Sequence, residues 1–399
     1  MRFSLVSGLL LSLGSLPSGL GAAVNSYPLA EHKITPKVFI ISMFTPEAQT
    51  WHHIAEFNLL AHNITLPGLS PLFPAIHCTK NHEICQLTTG EGEINAAVTM
   101  TSLLLSDKFN LSTTYFLIAG IAGINPEIGT LASVTFARFA VQVALQHELD
   151  AREIPANFST GYVPQGGSAP GQYPPTIYGT EVFELNADLR EIAAGFARGT
   201  NLADSETAKS YRARYASAEG KDKGIYEAAT KPPSILECDT STSDVYFSGR
   251  LLGEAFSNTT TTLTSGKGVY CSTQQEDNAT LEALLRGASS GLVDFGRIII
   301  MRSASDFDRP YPGQTALSNM LQTETQGGFE VAVENLYRAG VRVVLGILEE
   351  WEERFEKGVK AGNYIGDSFG TLGGKPDFGA DVVVQRGGKR AVGGWRGRR

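Results

Sequence analysis

The sequence predicts an α/β domain of three layers, with helices on both faces of a central mixed, largely parallel sheet. Three observations carry that expectation. Continuous apolar runs of strand length recur, as in "TTYFLIAGIAGI" (113–124) and "GRIIIMRSASD" (296–306). Strands covered on both faces read this way, whereas a sheet with one wet face alternates. Between these runs lie segments whose apolar residues recur at helical spacing, and such alternation marks a parallel sheet between helices. The chain also has 399 residues, 42% of them hydrophobic, enough to build one large core or two. No repeat of about 20–50 residues suggests a solenoid.

Each element follows in order. Residues 1–23, "MRFSLVSGLLLSLGSLPSGLGAA", combine one basic residue, a Leu/Gly/Ser-rich stretch and small residues Gly21 and Ala23, the pattern of a secretory signal. A signal anchor is the alternative, although Ser, Gly and Pro17 interrupt the apolar run. A strand at 37–43 and an amphipathic helix at 46–61 come next. "EICQLTTGEGEINAAVTMTSLLLS" (83–106) reads as strand, turn at Gly90 and Gly92, then helix. The buried strand at 113–124 precedes further β-type sequence, "TLASVTFARFAVQVALQ". A Pro/Gly/Gln loop at 161–176 is long enough to be a lid or an insertion. A helix after Gly179, a polar region to about 235, a strand at 296–306 and a long helix at 327–358 complete the domain. It spans 35–380. The Gly/Arg-rich tail 381–399 is expected to be disordered.

Charge and cysteine usage narrow the function classes. Formal net charge is −8, and the tail alone contributes +5, so the body is markedly acidic. That disfavours a nucleic-acid or anionic-membrane surface. No segment after the N-terminus approaches the roughly 20 apolar residues of a membrane helix, so no membrane-spanning bundle is expected. Four cysteines, Cys78, Cys85, Cys238 and Cys271, suggest two disulfides in an oxidising compartment, with three pairings open. Their spacing is not that of a zinc site, and His77 and His82 read as loop histidines; neither a metal nor a cofactor is expected. Five Asn-X-Ser/Thr acceptors, at Asn63, Asn110, Asn157, Asn258 and Asn278, agree with export and a secreted or cell-surface location.

Carboxylates stand out at element ends, where open α/β sheets form their crevice. Glu47 follows the first strand in "FIISMFTPEAQTW", Asp306 ends the 296–306 strand, and Glu276 precedes "NATLEALLRG". Each has a bland alternative: a solvated first-turn charge beside Pro46 for Glu47, a turn residue for Asp306, a helix N-terminus for Glu276.

The stretches "KVFIISMFTPEAQTW", "TTGEGEINAA", "FLIAGIAGINPEIGTLASV", "YGTEVFELN", "QEDNATLEALL" and "IIIMRSASDFDRPYPG" together resemble the fungal purine nucleoside permease family, over roughly residues 35–380. That family is similar in turn to the nucleoside phosphorylase and nucleosidase superfold. The resemblance implies a nucleoside phosphorylase-like fold and a purine nucleoside as ligand. It implies that Glu47 orients an attacking water, and that the turn holding Gly120, Ala122 and Gly123 lies against base and sugar. Phe183 would stack on the purine, Glu276 would accept from the ribose hydroxyls, and Ser305 and Asp306 would face the purine N7 edge, with Arg302 holding Asp306. The family often has asparagine at the place of Asp306, so the aspartate here favours acid chemistry.

Such a set suits N-glycoside cleavage, in which a carboxylate supports an oxocarbenium-like sugar and an acid protonates the leaving base. Phosphorylases of this superfold grip phosphate with arginines from the first half of the domain. Here no arginine lies between Arg2 and Arg138, Ile118 and Ala119 occupy that neighbourhood, and only Lys33, Lys37, Lys80 and Lys108 remain. Water is therefore the expected nucleophile. The family name implies transport, yet one short N-terminal segment cannot form a pore. An extracellular N-ribosyl hydrolase and a non-catalytic nucleoside-binding accessory of uptake are the two functions left, and the oligomeric state stays open, a homo-oligomer included.

Overall fold

The computed structural model describes residues 33–379, so the expected signal segment 1–23 and the basic tail 381–399 lie outside the described residues. The first strands are β1 (Val38–Ser42), β2 (His62–Ile64), β3 (Ile76–Cys78), β4 (Ile84–Thr88) and β5 (Tyr115–Ile124). They are followed by β6 (Val134–Ala137), β7 (Phe139–Gln142), β8 (Gln146–Glu148), β9 (Tyr162–Pro164) and β10 (Val182–Glu184). The last are β11 (Ile235–Glu237), β12 (Asp239–Thr242), β13 (Tyr270–Gln274), β14 (Ile298–Phe307) and β15 (Gly366–Asp367). All but the β8–β9 hairpin belong to one 13-stranded mixed sheet. Its centre is parallel: β5 lies between β1 and β14, and β4 continues beside β1. Antiparallel pairs join this centre to the flanks, including a two-residue contact of β13 with the end of β5 at Ser272↔Ile124 and Thr273↔Gly123.

The helices are α1 (Thr45–Gln49), α2 (Glu93–Leu104), α3 (Ala187–Ala197), α4 (Glu206–Arg212), α5 (Arg250–Leu263), α6 (Asp277–Ser289), α7 (Ala316–Met320) and α8 (Phe329–Glu349). Strand periodicity creates the three layers, because successive side chains leave a strand on opposite faces. Phe39, Ile41, Phe116 and Ile118 enter one core with Met100 and Leu103 of α2 and Leu281 and Leu284 of α6. Val38, Ile40, Tyr115 and Leu117 enter the other with Leu189 of α3 and Leu336 and Val343 of α8. The apolar continuity of β5 and β14 is thus the signature of two buried faces.

Several boundaries differ from expectation. The helix expected at 46–61 is only the five-residue α1. The chain turns at His53, whose φ of 57° lies outside helical space. Trp51 and Leu59 are nevertheless fully buried, the first in a turn and the second opening the single 3-10 turn Leu59–Ala61, so residues outside a continuous helix supplied the helical spacing. Asn186 caps α3 by accepting from Leu189 N, and the short strand β10 stands between Gly179 and that helix. Part of the 161–176 loop is β9, paired to β8. His77 sits in β3 and not in a loop, bonded through Nδ1 to Asn63 Oδ1 at 2.7 Å.

Of the three disulfide pairings, the fold has Cys78–Cys85, across neighbouring β3 and β4, and Cys238–Cys271. Four of the five Asn-X-Ser/Thr asparagines are exposed. Asn278 is buried, accepting from Thr242 Oγ1 and donating to Thr180 O, each at 2.7 Å, and so is not presented for glycosylation in the folded chain.

Candidate functional site

The carboxyl ends of β1, β5, β13 and β14 converge on a cavity of about 370 Å³. Glu47, Ala122, Gly123, Glu276, Arg302, Ser305 and Asp306 all line it. The crevice at strand ends is where open α/β sheets hold ligands.

Glu47 reaches the cavity because β1 stops at Ser42 and Pro46 starts a helical turn at a position where its missing N–H is not needed. Its side chain is only 2% exposed, which removes the solvated first-turn explanation. Oε2 accepts from Met43 N at 2.8 Å and Oε1 from Ile121 N at 2.7 Å. Burial pushes its pKa up to about 8; Arg302 opposes the rise and Glu276 adds to it, while the two backbone donors lower it. Desolvation therefore outweighs both hydrogen bonds.

Gly120 lies behind this carboxylate. A Cβ there would come within 2.6 Å of Arg302 Nη1 and 2.8 Å of Glu47 Oε1. Glycine is thus required for both side chains to lie against β5. At Gly123 a Cβ would meet Thr273 Oγ1 at 2.5 Å, where β13 crosses the end of β5.

Arg302 is fully buried, yet it does not hold Asp306 as expected. Its Nη2 donates to Asp277 Oδ1 at 2.5 Å and Glu276 Oε2 at 3.3 Å, and its Nη1 to Ile121 O at 3.1 Å. The cause lies at the start of α6. Gln274 Oε1 accepts from the backbone N–H groups of Glu276 and Asp277, at 2.7 and 2.8 Å, and turns both acids toward the guanidinium. Glu276 Oε1 also accepts from Gly92 N at 3.0 Å, tying β13 to the Gly-rich turn before α2. Burial raises the pKa of Glu276, opposed chiefly by Arg302.

On β14 the pairing with β5 slips between Ala304 and Asp306. This bulge interrupts the alternation of faces, so the consecutive Ser305 and Asp306 both reach the cavity. Ser305 Oγ lies 2.7 Å from Asp306 Oδ1 and 3.1 Å from Ala122 O, and Tyr246 Oη donates to Asp306 Oδ2 at 2.6 Å. Burial raises the pKa of Asp306; the Tyr246 and Ser305 hydroxyls pull it back, and Asp308 adds to the rise.

Phe183 is not part of this cavity. It is fully buried in β10 against Phe295, in the core beneath α6, because a three-residue strand between β7 and β15 turns it inward. The aromatic rings at the cavity are instead Phe44, Tyr246, Phe247 and Phe329. Sequence reasoning singles out none of them: Phe44 stands near Glu47 without a pattern of its own, and Tyr246 and Phe247 sit in a loop with no periodicity to mark them. Asp277, at the first position of α6, carries no sequence signal that separates it from an ordinary helix-terminal charge. Among the described residues Arg302 is the one cation lining the cavity, and its carboxylate partners already engage it. Lys37 pairs with Glu83 and Lys108 donates to Thr65 O; neither lines the cavity. No group of three or more His, Cys, Asp or Glu among the described residues is arranged to hold a metal ion.

The family model described as purine nucleoside permease matches residues 35–360. The chain belongs to the purine nucleoside permease family. A purine nucleoside permease of Candida albicans is 45% identical over 353 residues, covering 87% of this chain and 84% of the relative. A probable purine nucleoside permease of Schizosaccharomyces pombe is 44% identical over 324 residues, 79% of this chain and 90% of the relative. Similar solved structures include the 5′-methylthioadenosine/S-adenosylhomocysteine nucleosidase of Helicobacter pylori, with TM-score 0.46 and 14% identity over 79% of this chain and 100% of that one. Another is the futalosine hydrolase of the same organism, with TM-score 0.45 and 14% identity over 78% and 98%. No helix among the described residues is long and apolar enough to cross a membrane.

Proposed function

We propose that this protein binds purine nucleosides and hydrolyses their N-glycosidic bond outside the cell. The observation that carries this reading is that Glu47, Glu276 and Asp306, contributed by three different strand ends, line one cavity. In the proposed reaction the C1′–N9 bond breaks as water adds to C1′. The proton lost by water goes to Glu47, and the purine leaves with a proton from Asp306 at N7. Glu276, held by Arg302 and Gly92 N, accepts from the ribose hydroxyls, and Phe44 and Phe329 supply apolar walls. Burial favours the protonated form of Glu47, so the reacting fraction is the one in which Glu47 has released that proton to solvent before water attacks. Positive charge developing on the sugar beside it favours the ionised form that can take the proton. The two disulfides are of the kind an oxidising compartment maintains, which supports export.

A nucleoside-binding accessory of uptake is the second reading. It is favoured by the hydrogen bonding of Asp306, both of whose oxygens accept from side-chain hydroxyls. Phosphorolysis is disfavoured because Arg302, the one cation lining the cavity among the described residues, is committed to carboxylates. The test is incubation of the purified mature protein with adenosine, inosine and guanosine, with and without phosphate. Base release in phosphate-free buffer is the expected result. Release only with phosphate overturns the hydrolytic reading, and tight binding without release leaves the accessory.

A further inference from the structure

The Gly-rich turn before α2 has the build of an anion cradle. The stretch "TTGEGEINAA" leaves β4 and enters α2 through Gly90 and Gly92, each with a φ of 87°. Such a turn at a helix N-terminus presents backbone N–H groups and the positive end of the helix dipole, the usual seat of a phosphate. Here the chain's own acids take that seat. Gly92 N donates to Glu276 Oε1 at 3.0 Å and Glu93 N to Asp244 Oδ1 at 2.8 Å.

Glu91 stands between the two glycines, exposed to solvent and lining the cavity. Its backbone is held from both sides. Asn95 Nδ2 donates to Glu91 O at 2.7 Å, and Gln142 Nε2 donates to Glu93 Oε2 at 2.8 Å. Gln275 Nε2 donates to Asp244 O at 2.7 Å, so the loop that supplies Asp244 is tied to the end of β13. A Cβ at Gly92 would meet Asp244 Oδ1 at 3.3 Å, and one at Gly90 the Asn95 side chain at 3.1 Å. The turn thus packs closely against both neighbours. Through Glu276 it lies on the side of the cavity assigned to the ribose.

We propose that Glu91 is a specificity-determining residue: with Glu276 and Asp244 it turns a phosphate cradle into a wall against anions, and confines the site to nucleosides whose ribose carries no phosphate. The inference rests on the reading of Glu276 as the acid that meets the ribose hydroxyls. A phosphoryl group carried on that ribose comes near these carboxylates, where like charges repel. The N–H groups that would offset the repulsion are already engaged. Arg302 offers no relief, because Asp277 and Glu276 hold it. A nucleotide must therefore lose its phosphate elsewhere, by phosphomonoester hydrolysis, before this site accepts it.

The probes are formycin A, a C-nucleoside isomer of adenosine, with its 5′-O-methyl ether and its 5′-monophosphate. Their C1′–C bond survives, so binding is read whether or not the protein cleaves nucleosides. Calorimetry at low salt compares the wild-type chain with Glu91→Gln and Glu91→Lys. The expected result for wild type is similar affinity for the nucleoside and its neutral ether, and about hundredfold weaker binding of the monophosphate. Glu91→Lys should narrow that gap about tenfold or more and Glu91→Gln by less, with formycin A held within about twofold by both. Salt at about 0.5 M should also narrow it in wild type, because exposed charges are screened. Equal rejection of the neutral ether would make bulk the cause, and an unchanged gap in Glu91→Lys would acquit Glu91. Either result overturns the proposal and leaves the ribose reading of Glu276 standing. Formycin A that fails to bind wild type overturns that reading, and the selectivity with it.

Discussion

Glu47→Gln should flatten the dependence of folding stability on pH, and the size of the effect follows from the site. In the fold the Glu47 carboxyl keeps its proton up to about 8, against 4.5 for an ordinary glutamate. Between those values the native protein holds one proton that the unfolded chain has released. Stability contributed by this group is therefore fully present below the unfolded value and lost as pH rises through the folded one. The slope is about 1.36 kcal/mol per pH unit, and the whole loss is roughly 5 kcal/mol at most. Glutamine keeps the shape and cannot ionise. It offers one oxygen where the carboxyl offers two, so Met43 N or Ile121 N loses its acceptor, at about 1–3 kcal/mol independent of pH. Asp306 titrates in both proteins and cancels in the difference, whereas Glu276, whose charge helps to raise Glu47, cancels only in part. Urea unfolding of both oxidised proteins at several pH values from about 5 to about 7.5 should give a difference that changes by roughly 3 kcal/mol, in favour of the variant as pH rises. Parallel stability curves would refute the assignment of a buried, proton-holding Glu47.

The other predictions concern the neighbours. Phe183→Ala should cost about 3–5 kcal/mol by opening a cavity against Phe295, with adenosine affinity at low temperature unchanged; a selective loss of affinity would return Phe183 to the site. Arg302→Gln should destabilise by about 3–5 kcal/mol, because Asp277 and Glu276 are left buried without their cation, and an unfolding midpoint equal to wild type would contradict the pairing. Gly120→Ala should leave far-UV circular dichroism intact and lower base release at least tenfold by displacing Arg302 and Glu47; unchanged turnover would show that both can yield. Removing Cys238–Cys271, which closes 33 residues, should cost about 4 kcal/mol, against roughly 2 kcal/mol for Cys78–Cys85, which closes 7, as read from thermal unfolding of paired Ser variants.

The layered sheet was legible because β1 and β5 carry apolar runs and β14 opens with one at 298–301, and strands buried on both faces need them. The acids beyond them were legible for a related reason: Glu47 follows the end of the β1 run, and Asp306 lies in the polar second half of β14 that begins at Arg302. Glu276 was found with them, and its neighbour Asp277 carries no such signal because a helix N-terminus explains an acid equally well. What sequence spacing could not supply was the third dimension. Arg302 and Asp306 lie four residues apart on one strand, yet the bulge at Ser305 and the capping by Gln274 send the guanidinium to Asp277. Phe183 matched an expected aromatic position, but three residues of strand are too few to reveal which face they show. Trp51 and Leu59 imitated a helix from within loops. Tyr246 lies in an aperiodic loop, and its importance depends on a contact with a residue 60 positions away.

With Arg302 held by Asp277 and Glu276, a phosphate dianion finds no free guanidinium at the cavity among the described residues. Under the proposed hydrolysis the sugar therefore leaves as free ribose, without the activated C1′ bond from which a glycoside could be rebuilt. Splitting runs one way. Nucleoside is consumed where the protein sits and purine base accumulates there, so the base gradient points toward any cell able to admit it. A chain whose described residues hold no membrane-spanning helix could in this way set the direction of traffic through another protein's channel, by mass action alone.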